Sequence, residues 1–269
     1  EINEDMNLSE PFENLFTQGM VCHKSYKDNS GNWLYPHEVE KKDTNTYIKK
    51  LDQSKVTVGP TESMSKSKKN TVDPEEMISK FGADAVRLFI LSDSPPEKDI
   101  QWSDNGVSAA NKFLQKIWNL NSIVINDKKK KKNESLEKEF NLQINNYIKK
   151  VNASVKSFRF NVSIALFYQL YSCFKDNLDK INNEVLKGNL VKFMKLLIPF
   201  SPHIAFECLE LLKCKNIQSW PTIQNNIEEN LKLAVQINGK TRDIIEIRKD
   251  SPEEVVKDLV FKNSKGRKY

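Results

Sequence analysis

From Ser103 to about residue 215, apolar residues recur at spacings of three and four, and nothing else in the 269-residue sequence restricts the fold as much. Val107, Ala110, Phe113, Leu114, Ile117, Leu120 and Val124 make one face. Leu136, Phe140, Ile144, Tyr147, Ile148, Val151, Val155 and Phe158 make a second. Ile164, Phe167, Tyr168, Tyr171, Phe174 and Leu178 form a third, and Leu190, Phe193, Met194, Leu197 and Ile198 a fourth. Pro199 closes the fourth, Ser201-Pro202 caps and opens a fifth, and Ala205, Leu209 and Leu212 give that one its face. Five such stripes follow one another in this stretch and can bury against each other, so a helix bundle is expected over residues 103–222.

Composition agrees. Only 8 of the 269 residues are glycine, under half the usual ~7%, which disfavours β folds built on tight turns. The chain is long enough for about two domains, and with 38% hydrophobic and 29% charged residues it can bury a core, which excludes wholesale disorder. The longest mostly apolar stretch, Val162 to Phe174, falls short of the ~20 residues that cross a bilayer, and no basic segment followed by an apolar run opens the chain, so neither membrane span nor secretory peptide is expected. Cys22, Cys173, Cys208 and Cys214 show no CxxC spacing and there are only three histidines; reduced thiols and no zinc site are expected. The net charge of +6 suits a polyanionic partner without requiring one. The sequence opens on Glu1 rather than Met, so an upstream portion is expected.

The ends read differently from the middle. Gln18 to Cys22, Trp33-Leu34 and Val56 to Pro60 are strand candidates. Asp73-Pro74-Glu75-Glu76 places an acceptor at an N-cap and proline at the first helical position; helical pieces at 75–80 and 84–91 follow, divided by Phe81-Gly82-Ala83 and stopped by Ser94-Pro95-Pro96. Near residue 231 the period changes to alternation. Asn238-Gly239 is a type I′ turn signal, Ile244 to Ile247 supplies the returning strand, and Ser251-Pro252-Glu253-Glu254 caps a last helix. One hairpin and one helix bury little core, so the unit at 231–269 is expected to be incomplete. Five lysines within Asp127 to Asn133 read as a solvated loop, with a phosphate contact as the lesser reading.

The segment with chemical promise is Ser63-Met64-Ser65-Lys66-Ser67-Lys68-Lys69-Asn70. It sets compact cations and hydroxyl donors on a loop directly before a capped helix. Such a loop suits a triphosphate whose charge grows as pyrophosphate leaves, because fixed charges act most where charge develops. From composition alone an exposed Lys/Ser-rich linker is the better reading of the same segment.

Residue order separates the two. Met64-Ser65-Lys66-Ser67, Lys68-Lys69-Asn70, Val72-Asp73-Pro74 and Gly82 to Arg87 resemble the second signature of class I aminoacyl-tRNA synthetases, written KMSKS. Within that class the chain resembles the leucyl enzymes of bacterial or organellar type. Upstream this rests on Glu10-Pro11-Phe12 and Thr17 to Val21; downstream it rests on Pro95-Pro96-Glu97, Trp102-Ser103-Asp104, Phe160-Asn161, Pro199 to Ile204, Trp220-Pro221 and Val235 to Arg242. Valyl and isoleucyl enzymes are the nearest rivals, and Gln236 to Lys240 argues for leucyl.

The resemblance implies a mainly α chain with α+β ends. Residues 1–102 would be the end of a Rossmann-type catalytic domain, 103–222 an anticodon-binding-type bundle, and 231–269 the start of a small C-terminal tRNA-binding domain. It further implies that Met64, Ser65, Lys66 and Ser67 bind ATP, that Lys66 is the catalytic phosphate ligand while leucine's carboxylate attacks the α-phosphate, and that Ser65 and Ser67 support the loop. Ser63 stands where the family has its first lysine; Lys68 or Lys69 is a candidate replacement. The substrates would be ATP with Mg2+, leucine and tRNA(Leu), in a monomeric enzyme of the cytoplasm or, alternatively, of the mitochondrial matrix. Lys240 and Arg242 would touch tRNA; as ordinary surface charges of a hairpin they read equally well. His23, His37 and His203 lie in no HIGH-type motif, and no Thr-rich editing pocket is present, so this chain alone is expected not to aminoacylate. A stand-alone RNA-binding module is the alternative, but it would have no use for an ATP loop ahead of its bundle. His203 reads as a helix-start residue, Asp84 and Arg87 as cap and ion-pair residues, and Trp102 and Trp220 as core anchors.

Overall fold

The computed structural model describes residues 12–43, 46–127, 133–222, 230–237, 239–248 and 251–263. The lysine run at 128–132, the Glu10-Pro11 pair and Asn238 of the hairpin turn lie outside them. The chain divides into two units, Glu1–Pro221 and Thr222–Tyr269.

The first unit opens with strands β1 (Val21–Lys27), β2 (Trp33–Leu34), β3 (Val39–Lys41), β4 (Tyr47–Lys49) and β5 (Lys55–Ser63). They form one sheet in the order β2-β1-β5-β4-β3, every pairing antiparallel. A two-residue strand, β6 (Ile100–Gln101), returns beside β1 and is parallel to it. Between β1 and β5 the register slips: Lys24 faces Thr61 and Tyr26 faces Val58, which leaves Gly59 and Pro60 opposite Ser25 alone. Two residues suit this bulge. Proline has no N–H to withhold from the ladder, and a Cβ at Gly59 would lie 2.4 Å from the buried Ser25 Oγ. Tyr26, Leu34, Val39 and Val56 make a small core on the sheet, with Tyr47 and Val58 at its margin.

The strand expected at 18–22 thus starts at Val21 and runs on to Lys27, and the strand expected to end at Pro60 continues to Ser63. Both extensions come from the partner strand rather than from local patterning.

Helices α1 (Pro74–Phe81) and α2 (Ala83–Asp93) follow. The Asp73 carboxylate accepts the Glu75 N–H at 2.9 Å, and the α1 terminus is closed by Gly82 at φ 84°, a backbone conformation that only glycine takes without strain. The bundle consists of α3 (Asp104–Asn126), α4 (Glu134–Lys156), α5 (Phe160–Asn177), α6 (Asn183–Leu197) and α7 (Pro202–Leu211). Ser103, Asn133 and Asn182 cap α3, α4 and α6 through side-chain oxygens. The core is rich in phenylalanine. Phe167 packs edge-on to Phe200 at 5.0 Å between centroids, Phe140 edge-on to Phe174 at 5.3 Å, and Phe174 stacks on Phe193 at 6.0 Å.

Some expected positions move. Phe158 is not on the buried face of α4: the helix stops at Lys156, Phe158 takes φ 56°, and its half-exposed ring stacks on Phe16 at 5.0 Å. On α5, Ser163, Leu166 and Leu170 are buried while Tyr168 is 43% exposed, so the stripe is rotated from the expected one. Trp220 is a surface residue rather than a core anchor, at 39% exposure, with its indole N–H donated to Asn152 Oδ1 at 2.7 Å. Trp102 does pack inward, edge-on to Phe89 at 5.4 Å.

Ser201 does not cap α7 with its side chain. The cap comes from α2. The nearly buried Asp84 carboxylate accepts the Ile204 N–H at 2.8 Å and the His203 N–H at 3.4 Å, and His203 Nδ1 lies 2.8 Å from it. A carboxylate satisfies two orphan N–H groups and the positive helix end together, which a hydroxyl cannot. Arg87, one turn along α2, donates to the Pro199 carbonyl at 2.9 Å.

In the second unit β7 (Asn230–Ile237) and β8 (Lys240–Arg248) form an antiparallel hairpin, followed by α8 (Glu253–Asn263). Gly239 has φ 75°, as the two-residue turn requires. Val235, Ile245 and Ile247 are buried with Val256 and Val260 of α8 against them.

Candidate ATP loop

Strand β5 delivers the chain to the loop. Its last residues pair with β1, His23 facing Glu62 and Cys22 facing Ser63, and Met64 N–H still reaches the Val21 carbonyl at 3.2 Å. Residues 66–69 then form a turn, and the chain leaves through Asn70 towards Asp73 and the first turn of α1. The loop is therefore clamped between the end of a sheet ladder and a capped helix, with its tip free.

At the tip the Ser65 and Ser67 hydroxyls are 2.6 Å apart. Lys66 and Ser67 are exposed, and the Lys66 ammonium has neither hydrogen-bond nor ion-pair partner among the described residues. The two neighbouring lysines are committed. Lys68 is ion-paired to Glu62, and its ammonium holds the Glu62 carboxyl below its usual range. Lys69 takes φ 51° and lies over the Tyr35 ring, 5.2 Å from its centroid. Of the two lysines considered as replacements for the missing cation at Ser63, neither points a free charge outward beside Lys66.

The base of the loop depends on a residue to which sequence reading assigned no role. Asn70 is fully buried. Its Oδ1 accepts the Ser65 N–H at 2.7 Å, while its Nδ2 lies 3.3, 3.4 and 3.3 Å from the carbonyl oxygens of His23, Glu62 and Ser63. Glu62 was likewise missed. An asparagine between a lysine run and a proline-opened helix was the available signal for the first; nothing in the sequence marked the pairing of Glu62 with Lys68.

The other proposed site residues fall in the second unit. Lys240 is exposed beside the hairpin turn. Arg242 is the extra residue of a bulge, since Asp243 pairs with Val235 and Thr241 with Gln236, and it is partly buried. No histidine stands in the loop: His23 contributes only its carbonyl, and His203 sits at the start of α7. A groove of about 800 Å3 between α4 and α5, lined by residues including Tyr147, Lys150, Gln169 and Asp176, contains none of the loop residues. Among the described residues no three His, Cys, Asp or Glu side chains gather as a metal site would need, and no helix is long and apolar enough to cross a membrane. The four cysteines are free thiols.

Residues 42–103, which include the loop, match a family model described as tRNA synthetases class I (I, L, M and V), and residues 137–257 match the anticodon-binding domain of tRNA ligase. The chain is 38% identical over 98% of its length to a leucine–tRNA ligase of Rickettsia bellii and to one of Orientia tsutsugamushi, and 34% identical over 97% to one of Zymomonas mobilis. It spans 32%, 32% and 30% of those proteins, about a third of each. Among solved structures it resembles Agrobacterium radiobacter K84 LeuRS, solved as a ternary complex with tRNA and LeuAMS, with a TM-score of 0.60, 30% identity, and coverage of 75% of this chain and 28% of that one.

Proposed function

We propose that this chain, homologous over 98% of its length to about a third of bacterial leucine–tRNA ligases, supplies the ATP loop and tRNA-holding parts of an enzyme that activates leucine and transfers it to tRNA(Leu). The observation that carries the reading is the loop at 64–70: a sheet-anchored, helix-backed turn that presents the Lys66 ammonium without a competing partner among the described residues. ATP with its Mg2+ and leucine enter as substrates. As leucine's carboxylate oxygen bonds to the α-phosphorus and the bond to the β-phosphate bridging oxygen breaks, charge builds on the departing pyrophosphate, and the Lys66 ammonium acts there. Met64, Ser65 and Ser67 complete the ATP contact, the serine hydroxyls serving as adjustable donors.

In this reading residues 1–102 belong to the catalytic domain, 103–222 to the tRNA-holding bundle and 231–269 to a further tRNA-binding unit. The bundle holds tRNA through its backbone, as phosphate contacts position without reading sequence, and Lys240 and Arg242 add cations. The setting is a monomeric enzyme in the cytoplasm, or the mitochondrial matrix in an organellar version. A stand-alone RNA-binding module is disfavoured by the class I synthetase match across 42–103.

The experiment is leucine-dependent exchange of pyrophosphate into ATP by the intact protein carrying this segment. Exchange with leucine, and charging of tRNA(Leu), is the expected result. Equal exchange with valine or isoleucine would overturn the leucyl assignment, and tRNA binding with no exchange would favour the binding module.

A further inference from the structure

We infer that Asn70 is a positioning residue for amino-acid activation: it fixes the base of the 64–69 loop so that Lys66 is presented to the phosphates in one place. The inference rests on the reading of that loop as the ATP loop.

The geometry is that of a side chain standing in for a peptide group. At the end of the β1–β5 ladder the Asn70 Nδ2 lies within 3.3–3.4 Å of the carbonyl oxygens of His23, Glu62 and Ser63. The two amide hydrogens are shared among three acceptors, while Oδ1 takes the Ser65 N–H at 2.7 Å. One fully buried side chain therefore joins β1, the end of β5 and both ends of the turn that carries Lys66 and Ser67. A buried amide so placed is costly to lose, because the Ser65 N–H then has no acceptor and the three carbonyls lose a shared donor. Lys66 cannot do this for itself: its side chain is a flexible four-carbon stem with no partner among the described residues, so its placement is set by the backbone beneath it. A group poised to act in the transition state gains from a fixed origin, since a displacement of about 1 Å is enough to cost ~10²-fold in rate.

No other side chain among the described residues bonds across the loop base in this way. The Lys68–Glu62 pair ties the far side of the turn to β5, but it is half exposed and leaves Ser65 untouched.

The test is Asn70→Asp in the intact enzyme. The variant keeps size and the acceptor for Ser65, but sets carboxylate oxygen against three carbonyl oxygens. Leucine-dependent pyrophosphate exchange should lose about 10²-fold, chiefly in kcat. Transfer of leucine from preformed adenylate, the KM for leucine and the affinity for tRNA should stay near those of the unaltered enzyme, while the melting temperature falls as a buried polar group loses its partners. Asn70→Ser, whose hydroxyl is too short to reach the Ser65 N–H and the three carbonyls together, should lose exchange in the same selective way and serves if Asn70→Asp does not fold. Unchanged exchange in both variants would overturn the inference, as would equal loss of exchange and transfer, which would mark Asn70 as structural only. Absence of leucine-dependent exchange in the unaltered enzyme would instead sink the ATP-loop reading itself.

Discussion

The carboxylate of Asp84 in α2 accepts the Ile204 N–H at 2.8 Å and so caps α7, a helix that begins more than a hundred residues further along the chain. With Arg87 on the Pro199 carbonyl, this bond staples α2, the second helix after the candidate loop, to the start of α7. Asp84→Ala leaves two part-buried N–H groups at the start of α7 without their acceptor and is expected to cost about 1–2 kcal/mol. Thermal unfolding should shift down by several degrees; an unchanged melting temperature would show that water replaces the cap.

Lys66→Ala should reduce the rate of leucine adenylation in the intact enzyme by about 10²–10³-fold, the usual effect of removing one fixed donor at developing charge. Lys68→Ala should cause a loss at least about ten times smaller, because its ammonium is already held by Glu62. Pyrophosphate exchange measured on both variants checks the order, and equal losses would mean that Lys68 leaves Glu62 to bind phosphate.

Gly106 in the first turn of α3 has no room for a side chain: a Cβ there would lie 2.4 Å from the Phe89 ring. Phe89 is buried and carries Trp102 on its edge, so it cannot swing away freely. Gly106→Ala should destabilise the fold by about 1–3 kcal/mol despite alanine's higher helix propensity. Denaturant midpoints decide the sign.

Alkaline pH should unfold the first unit early. Burial pushes the Cys173 thiol from its ordinary 9.0 up to about 11, and the Cys208 thiol from 9.0 up to about 12. Burial likewise raises the Tyr26 hydroxyl from 10.0 to about 12. In each case the folded state keeps a proton that the unfolded state releases, so their contribution is fully present below about pH 9 and is lost as pH rises through 9 to 12. The denaturant midpoint should fall over that window. Cys208 should resist alkylation at pH 8 until the chain is unfolded.

Affinity for tRNA should fall steeply with salt, as counterion release requires. Replacing Lys240 and Arg242 together by alanine should make the log–log slope shallower by about one for each phosphate that is no longer neutralised. A flat salt dependence would argue against phosphate binding altogether.

The helices, the cap at Asp73 and the hairpin that turns at Gly239 were legible in the sequence because each is encoded within about ten residues, by period, capping oxygen or turn chemistry, whereas the caps at Ser103, Asn133 and Asn182 were not read there. The loop at 64–67 was legible in the same local way, as residues in order. Tertiary structure decided the rest. Which lysine is free depends on Glu62, which β5 brings against Lys68; where the loop is anchored depends on His23, 47 positions before Asn70. Ser201 carried the local signature of a cap, but only the folded chain brings a stronger acceptor, the Asp84 carboxylate, to that helix end. Long-range hydrogen bonds of this kind join groups whose identities are ordinary in their own segments. Sequence patterning marks what each segment wants to become, whereas the partners of buried polar groups are fixed only when distant segments meet.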